Sequence, residues 1–138
     1  MSIQKVNHNV IKPHSAVNIA AGSGSSTSEW FDSNGWTDKK ISVEGDVTDG
    51  SGSISLSLEL HVSPKHYYEL NQLGASVTTD DYEAITVNAS ALTAATLTSY
   101  DAEDLDDLQR PFRSCRLKVT NGDASDACTV TTFLEGWS

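Results

Sequence analysis

The amino-acid sequence predicts an all-β fold, a single antiparallel β-sandwich of jelly-roll-like form with an extended N-terminal arm. Its 138 residues make one compact domain, long enough to fold without a metal or a disulfide. Residues 53–62 alternate apolar and polar side chains without a break. Further short apolar segments are separated by turn residues about every 8–12 positions, a spacing that is typical of sandwiches.

The amino-terminal segment differs in charge from the rest of the chain. Two of the nine Lys and Arg residues and none of the nineteen Asp and Glu residues lie in residues 1–28, so this segment carries +2 and the remainder −12. Residues 1–21 are interpreted as an arm that docks on an acidic surface, such as a neighbouring copy, or as an ordinary edge strand. Residues 22–28, GSGSSTS, are predicted to be a flexible Gly/Ser linker, and residues 29–138 the β-sandwich domain.

The clearest strand pattern lies in residues 53–62, SISLSLELHV, where apolar residues occupy every second position. A strand places such residues on one face, whereas a helix does not. Residues 39–48 carry a similar alternation. Because Asp49-Gly50-Ser51-Gly52 favours a turn, residues 39–48 and 52–62 are predicted to pair as an antiparallel hairpin.

A second hairpin is predicted at the carboxyl end of the sequence. Residues 114–120 and 127–134 have strand patterns, and Asn121-Gly122 between them favours a two-residue turn. In that register Cys115 faces Cys128 as a non-hydrogen-bonded pair, close enough for a cross-strand disulfide. A reducing cytoplasm would keep both thiols, so adjacent but unbonded cysteines are the alternative.

Weaker patterns fill the remainder of the sandwich. Further strands are predicted at residues 15–20, 28–32, 66–71, 83–90 and 93–99. Residues 101–109, DAEDLDDLQ, carry two leucines three positions apart and are predicted to form at most two helical turns. Pro111 ends that helix, because proline lacks the N–H that would continue it.

Composition and motifs exclude several classes of function. The net charge of −10 repels nucleic acid and anionic membranes, because both are bound largely through Lys and Arg. No signal-peptide core and no run of about 18 apolar residues occurs, which predicts a soluble protein made in a cytoplasm, or one delivered by a route that the sequence does not show. Hydrolase serine motifs are missing, and the acidic residues 101–107 lack the central glycine of an EF-hand. We therefore expect no enzymatic activity, no cofactor and no metal.

Three aromatic residues, Trp30, Phe31 and Trp36, lie in a turn-rich segment. Aromatic side chains on loops can stack on sugar rings, as in β-sandwich carbohydrate-binding modules, or contact other subunits. Packing inside the chain is the alternative, and it is the common fate of tryptophan. The residues expected to contact other subunits, in the arm and in this segment, are Val6, Val10, Ile11, Lys12, Pro13, Trp30, Phe31 and Trp36.

Three parts of the sequence, Trp30 to Val47, Ser53 to Val62 and Phe112 to Gly136, resemble small all-β virion proteins of tailed bacteriophages. The first contains WFDSNGWTDKKISVEGDV and the last FRSCRLKVTNGDASDACTVTTFLEG. In that family a tryptophan, a short turn and a core strand open a sandwich, and a terminal hairpin closes it. The resemblance covers a little over half of the chain, in composition and topology.

The resemblance implies a non-enzymatic capsid decoration (cement) protein on the outer capsid, or a tail, fibre or neck component. Decoration proteins of this size typically assemble as trimers. The implied partners are therefore the major capsid protein or other virion subunits, together with further copies of the chain. The implied location is the virion, assembled in the host cytoplasm. High acidity fits this role, because it keeps an abundant surface protein soluble.

Overall fold

The computed structural model describes residues 8–48, 54–87, 93–94, 96–97 and 112–137. Within them two antiparallel sheets and one short helix form a β-sandwich, so the predicted fold class is confirmed. The strands are β1 (His8–Ile19), β2 (Gly24–Thr27), β3 (Phe31–Asp32), β4 (Asp38–Val47), β5 (Ile54–Ser63), β6 (Glu83–Val87), β7 (Thr93–Ala94), β8 (Thr96–Leu97), β9 (Ser114–Asn121) and β10 (Cys128–Trp137). The helix α1 (Tyr67–Leu73) leads into a 3₁₀ turn.

The first sheet, sheet A, has the strand order β1-β10-β4-β8. Strands β10 and β4 pair without interruption from Cys128 opposite Val47 to Trp137 opposite Asp38. Every second side chain of both strands is buried, because alternate residues of a strand face the other sheet. Sheet A therefore contributes a largely apolar face to the core, which also contains the buried polar residues Lys39 and Thr132.

The second sheet, sheet B, has the strand order β2-β9-β5-β6, with β3 beside β9 and β7 beside β5. Its central strands pair from Leu56 opposite Asn121 to Ser63 opposite Ser114. Four apolar residues that the alternation of β5 predicts are buried in the core: Leu56, Leu58, Leu60 and Val62. Each such side chain stabilises the fold by about 1.5–3 kcal/mol relative to its exposed state.

Both predicted hairpins are wrong, although their strands form close to the predicted bounds. β4 lies in sheet A and β5 in sheet B, and β9 and β10 are divided in the same way. The pairs that form are β4 with β10 in sheet A and β5 with β9 in sheet B. The chain therefore changes from sheet A to sheet B between β4 and β5, and from sheet B to sheet A between β9 and β10. This crossing of paired segments is the jelly-roll-like feature of the fold. The predicted turn at residues 49–52 lies outside the described residues.

The segment after β9 forms a corner between the sheets instead of a two-residue turn. The buried Asn121 side chain accepts from the backbone N–H of Asp123 (3.1 Å) and donates to the carbonyl of Asp126 (2.8 Å). Gly122 N donates to the carbonyl of Ser55 on the neighbouring strand (2.7 Å). Side-chain bonds to nearby backbone groups stabilise such corners, so Asn-Gly here directs the chain into the opposite sheet.

The predicted Gly/Ser linker also differs from the structure. Gly24–Thr27 forms strand β2, in register with Lys118–Asn121 of β9. Gly22 (φ 74°) and Ser23 (φ 71°) supply the left-handed backbone that turns the chain from β1 into β2. These glycines and serines therefore make a tight turn and a short strand, where the composition predicts a flexible segment.

Residues 66–71, predicted to be a strand, belong to helix α1. Pro64 precedes it, and the side chain of His66 caps it by accepting from the backbone N–H of Tyr68. Leu70 is its buried residue, and Gly74 ends it with a positive φ of 54°. Local capping and one buried leucine therefore outweigh the weak strand pattern.

The other weak strands form in shortened or extended versions. Residues 8–19 make one long strand where 15–20 is predicted, and the predicted 28–32 is reduced to β3. Within the predicted 83–90, residues 83–87 form β6, and residues 88–90 lie outside the described residues. Within 93–99, β7 pairs with β5 and β8 with β4, so this short stretch contacts both sheets. The predicted helix at 101–109 lies outside the described residues.

Candidate assembly surface

Strand β1 is an edge of sheet A, and it contains most of the residues expected to contact other subunits. Val10 is a large apolar residue that is 57% exposed. Lys12 is exposed, whereas Ile11 and Pro13 are half-buried. Val6 lies outside the described residues. Val10 and Lys12 are therefore the side chains of this group that a second subunit could reach.

The side chains of β1 and β10 that point away from the core form one surface, which we call the β1–β10 face. Its members are His8, Val10, Lys12, Phe133, Glu135 and Trp137. The ring of His8 stacks on that of Trp137 with centroids 4.8 Å apart. Lys12 Nζ lies 5.4 Å from the ring centroid of Phe133. This face thus combines apolar, positively charged and negatively charged side chains. Its composition resembles that of protein–protein interfaces.

The basic arm docks on its own chain over residues 8–19, which adopt the edge-strand alternative. His8 Nε2 lies 3.0 Å from Glu135 Oε2, so an acidic residue of β10 faces the arm. Sequence analysis overlooked Phe133, Glu135 and Trp137. The alternation of TTFLEGW gives their shared face, but the pairing of β10 with β1 is needed to place them beside Val10.

The middle of β1 is irregular, and this irregularity limits how a partner can bind. The register with β10 is regular from His8 to Ile11 and then shifts twice before Val17. Pro13 has no backbone N–H, and Ala16 has a positive φ of 48°. Bulges, proline and exposed lysine are features that prevent strands from adding to an edge. Backbone pairing of a further strand with this edge is therefore disfavoured.

His14 holds the middle of β1 in place. The buried ring bonds through Nδ1 to the Thr132 hydroxyl (2.8 Å) and through Nε2 to the Ser26 carbonyl (3.1 Å). Since the carbonyl can only accept, Nε2 carries the proton and Nδ1 accepts from the hydroxyl. Burial lowers the pKa of His14, and the bond to Ser26 offsets part of this effect. His14 therefore links β10 of sheet A to β2 of sheet B as a neutral side chain.

The two tryptophans expected to contact other subunits are buried in their own chain. Trp30 is 3% exposed and Trp36 is 5% exposed. A Cβ added at Gly136 of β10 would overlap the indole of Trp36, so this ring lies directly on the backbone of β10. The expected subunit contact is therefore wrong for Trp30 and Trp36, and the packing alternative is correct. Phe31 is half-buried beside Cys115.

The predicted cross-strand cysteine pair is also wrong, because β9 and β10 lie in different sheets. Cys115 is opposite Val62 and Cys128 is opposite Val47, and both thiols are free and fully buried. Burial raises the pKa of Cys115 to about 11 and also raises that of Cys128. Both cysteines act as small apolar core residues.

Within the described ranges, no group of three or more His, Cys, Asp or Glu side chains could hold a metal ion. The carboxylates at 101–107 lie outside those ranges. No helix in the described part of the chain has the length and apolarity that a membrane span requires.

Comparison with known proteins gives matches of fold. No protein-family model and no curated protein matches the sequence. A chain of the infectious bursal disease virus VP2 subviral particle matches with a TM-score of 0.59 at 8% identity, over 96% of this chain and 32% of that chain. A chain of the structure of the Gx strain of infectious bursal disease virus matches with a TM-score of 0.53 at 10% identity, over 97% and 32%.

These matches establish the fold. This chain spans about a third of the length of the virus chains it matches, and nearly all of its own length is included. The all-β sandwich is therefore also found as part of a longer chain in a virus particle. The resemblance noted in the sequence, to proteins of virions, agrees with that fold at this coarser level.

Proposed function

We propose that this protein is a non-enzymatic structural subunit of a virus particle, most specifically a capsid decoration (cement) protein on the outer capsid of a tailed bacteriophage. The observation that supports the proposal most is the fold shared with VP2 in a subviral particle, over 96% of this chain. The proposed partners are the major capsid protein or other virion subunits, and further copies in a trimer. The proposed location is the virion.

The β1–β10 face is the proposed contact surface. Val10 gives it an exposed apolar centre, and Lys12 and Glu135 give it charges of both signs. Burying one valine stabilises a contact by about 1.5 kcal/mol, or about tenfold in affinity. Many copies on one particle would combine such modest contacts into firm attachment. Val6, Ile11, Pro13 and Phe31 remain proposed contacts with other subunits.

A tail, fibre or neck component is the alternative within the same class, because the same face could bind any virion subunit. A β-sandwich carbohydrate-binding module is the alternative outside it. The burial of Trp30 and Trp36 removes two of the rings on which that alternative depends. The structural role is therefore the better supported proposal.

The test is sedimentation of the tagged full chain with virus particles from its source. Wild-type protein is expected in the particle fraction, and Val10→Lys is expected to lower its affinity for particles about tenfold or more. Tyr68→Lys is the matched control, because Tyr68 is 63% exposed on α1, away from the β1–β10 face. Point changes are preferred to deletion of residues 1–21, since β1 supplies the buried Ile19 and His14.

Wild-type protein that stays in the supernatant would contradict the virion proposal. Equal losses of particle binding in Val10→Lys and Tyr68→Lys would contradict the assignment of the β1–β10 face. Specific binding of the wild-type chain to neutral oligosaccharides, without particle association, would favour the carbohydrate-binding alternative.

A further inference from the structure

A cavity on the outer face of sheet B carries a second inference, independent of the β1–β10 face on sheet A. It has a volume of about 260 Å³ and lies between the segment preceding β3 and helix α1. Its walls include Thr27, Glu29, Trp30, Asn71 and Arg116. At about 30 Å³ per water molecule, the cavity has room for a compact organic molecule such as a single sugar.

Helix α1 is fixed to one wall of this cavity. Asn71 Oδ1 accepts from the backbone N–H of Trp30 (2.8 Å), and Asn71 Nδ2 donates to the carbonyl of Trp30 (3.0 Å). Leu70 of the same helix is fully buried. A side chain that bonds both backbone groups of one residue holds the helix and the loop at a fixed separation. The cavity is therefore preformed.

The guanidinium group of Arg116 is held rigidly at the cavity. Its carbon lies 4.6 Å from the ring centroid of Trp30 and 4.9 Å from that of Tyr82. Arg116 Nε donates to His61 Nδ1 (2.9 Å), and the His61 ring stacks on Tyr82 at 4.3 Å. Burial, and next the Arg116 charge, lower the pKa of His61, so it stays neutral and accepts. Aromatic stacking and this bond fix the plane of the guanidinium.

The terminal amino groups of Arg116 form no hydrogen bond within the described residues, because the guanidinium bonds to His61 through Nε alone. Arg116 is partly exposed and lines the cavity, so these amino groups are the hydrogen-bond donors that a ligand there could reach. Trp30 Nε1 also lacks a partner, but it is fully buried and out of reach of a ligand in the cavity.

We propose that this cavity binds the carboxylate of a small hydroxy acid, of the size of a sugar acid such as D-glucuronate. The two terminal amino groups of a guanidinium match the two oxygens of a carboxylate. Glu29 on the wall disfavours anions of higher charge, and it can accept from ligand hydroxyl groups. Recognition here rests on the carboxylate, and no exposed aromatic face is required.

The experiment is an NMR titration of the ¹⁵N-labelled full chain with D-glucuronate, followed through the three indole N–H signals and the Nε–H signal of Arg116. We expect the signals of Trp30 and Arg116 to shift in a saturable way, while those of Trp36 and Trp137 serve as internal references. D-glucose is the matched ligand, since it carries a hydroxymethyl group in place of the carboxylate. It is expected to leave the Trp30 and Arg116 signals unchanged.

Two variants distinguish a specific carboxylate-binding site from nonspecific electrostatic attraction of an anion. Arg116→Lys keeps the charge but loses the two-point geometry, and it is expected to weaken glucuronate binding about tenfold or more. Lys118→Gln removes a charge two residues along β9 on the same face of sheet B, outside the cavity, and is expected to bind as the wild type does.

Equal shifts with glucose and glucuronate would overturn the proposal, and this comparison needs only the wild-type chain. Equal weakening of glucuronate binding in Arg116→Lys and Lys118→Gln would also overturn it, because binding would then depend on nonspecific charge attraction. The sedimentation test is independent of these results, so either proposal can fail while the other holds.

Discussion

The neutral state of His14 ties the stability of this fold to pH. Its ring is buried, and Nδ1 accepts from the Thr132 hydroxyl. The unfolded chain takes up a proton at this histidine near the ordinary pKa of 6.5, whereas the folded chain resists protonation. Protonation of the unfolded chain alone favours unfolding, so His14 lowers the stability as the pH falls below about 6.5. His61 contributes in the same direction, because its pKa is lowered too.

We expect the free energy of unfolding by urea to decrease between pH 7.5 and pH 5, with a smaller decrease in His14→Gln. The amide can bond to the same two partners but does not titrate. Wild type and variant share every carboxylate, so the difference between their two slopes isolates His14. Identical pH dependence in the two proteins would contradict this account of the ring.

The cysteines give a second prediction for single residues. Both thiols are fully buried, and the pKa of Cys115 is about 11, so little thiolate forms at neutral pH. We expect neither cysteine of the folded protein to react with a thiol reagent within minutes at pH 8, and both to react in guanidinium chloride. A denatured sample whose mass is lower by two hydrogens, with no free thiol, would reveal a disulfide and contradict the separated cysteines.

Among the elements of secondary structure, strand β10 depends on a glycine that the sequence pattern does not reveal. Gly136 lies beneath the indole of Trp36, and an added Cβ would overlap that ring. We therefore expect Gly136→Ala to lower the free energy of unfolding by about 1–3 kcal/mol, as overpacking of a core does. Chemical denaturation monitored by circular dichroism measures this change.

Gly122→Ala is the control for this substitution. A Cβ at Gly122 would lie 3.5 Å from the carbonyl oxygen of Ser55, an ordinary contact distance. We expect its stability to stay within about 0.5 kcal/mol of the wild type. If both alanine variants are equally stable, Trp36 does not pack on β10 as described.

Comparison of these elements with the sequence shows what a local pattern can predict. Alternation at period two locates β4, β5, β9 and β10, because burial of one strand face is a local property of the chain. It does not specify the neighbouring strand. A turn dipeptide such as Asn121-Gly122 fits a hairpin, yet here the Asn121 side chain bonds to Ile19 and Asp126 and directs the chain into the other sheet.

The candidate sites show the same difference between what a local sequence pattern predicts and what strand pairing determines. Charge asymmetry singles out the amino-terminal segment, in which Val10 and Lys12 are exposed on β1, and their contact with other subunits stays a prediction. Composition could not decide whether Trp30 would face solvent or its own chain. The cavity was overlooked because Trp30, Asn71 and Arg116 come from distant parts of the sequence, and only the pairing of β5 with β9 places Arg116 beside His61.

The whole molecule is a two-sheet sandwich, and its proposed function depends on contacts with neighbouring subunits. The fold occurs as about a third of a chain in a virus particle, and the β1–β10 face offers an exposed apolar side chain among charges. Edge features on β1 disfavour addition of strands, so the proposed contact is made by side chains.

Sedimentation equilibrium of the purified full chain, over a range of protein concentrations, tests this central claim most directly. We expect a species of about three times the monomer mass of 14.8 kDa, and its dissociation to the monomer in Val10→Lys but not in Tyr68→Lys. A wild-type chain that remains at 14.8 kDa at every concentration, or a trimer that Val10→Lys leaves intact, would contradict it.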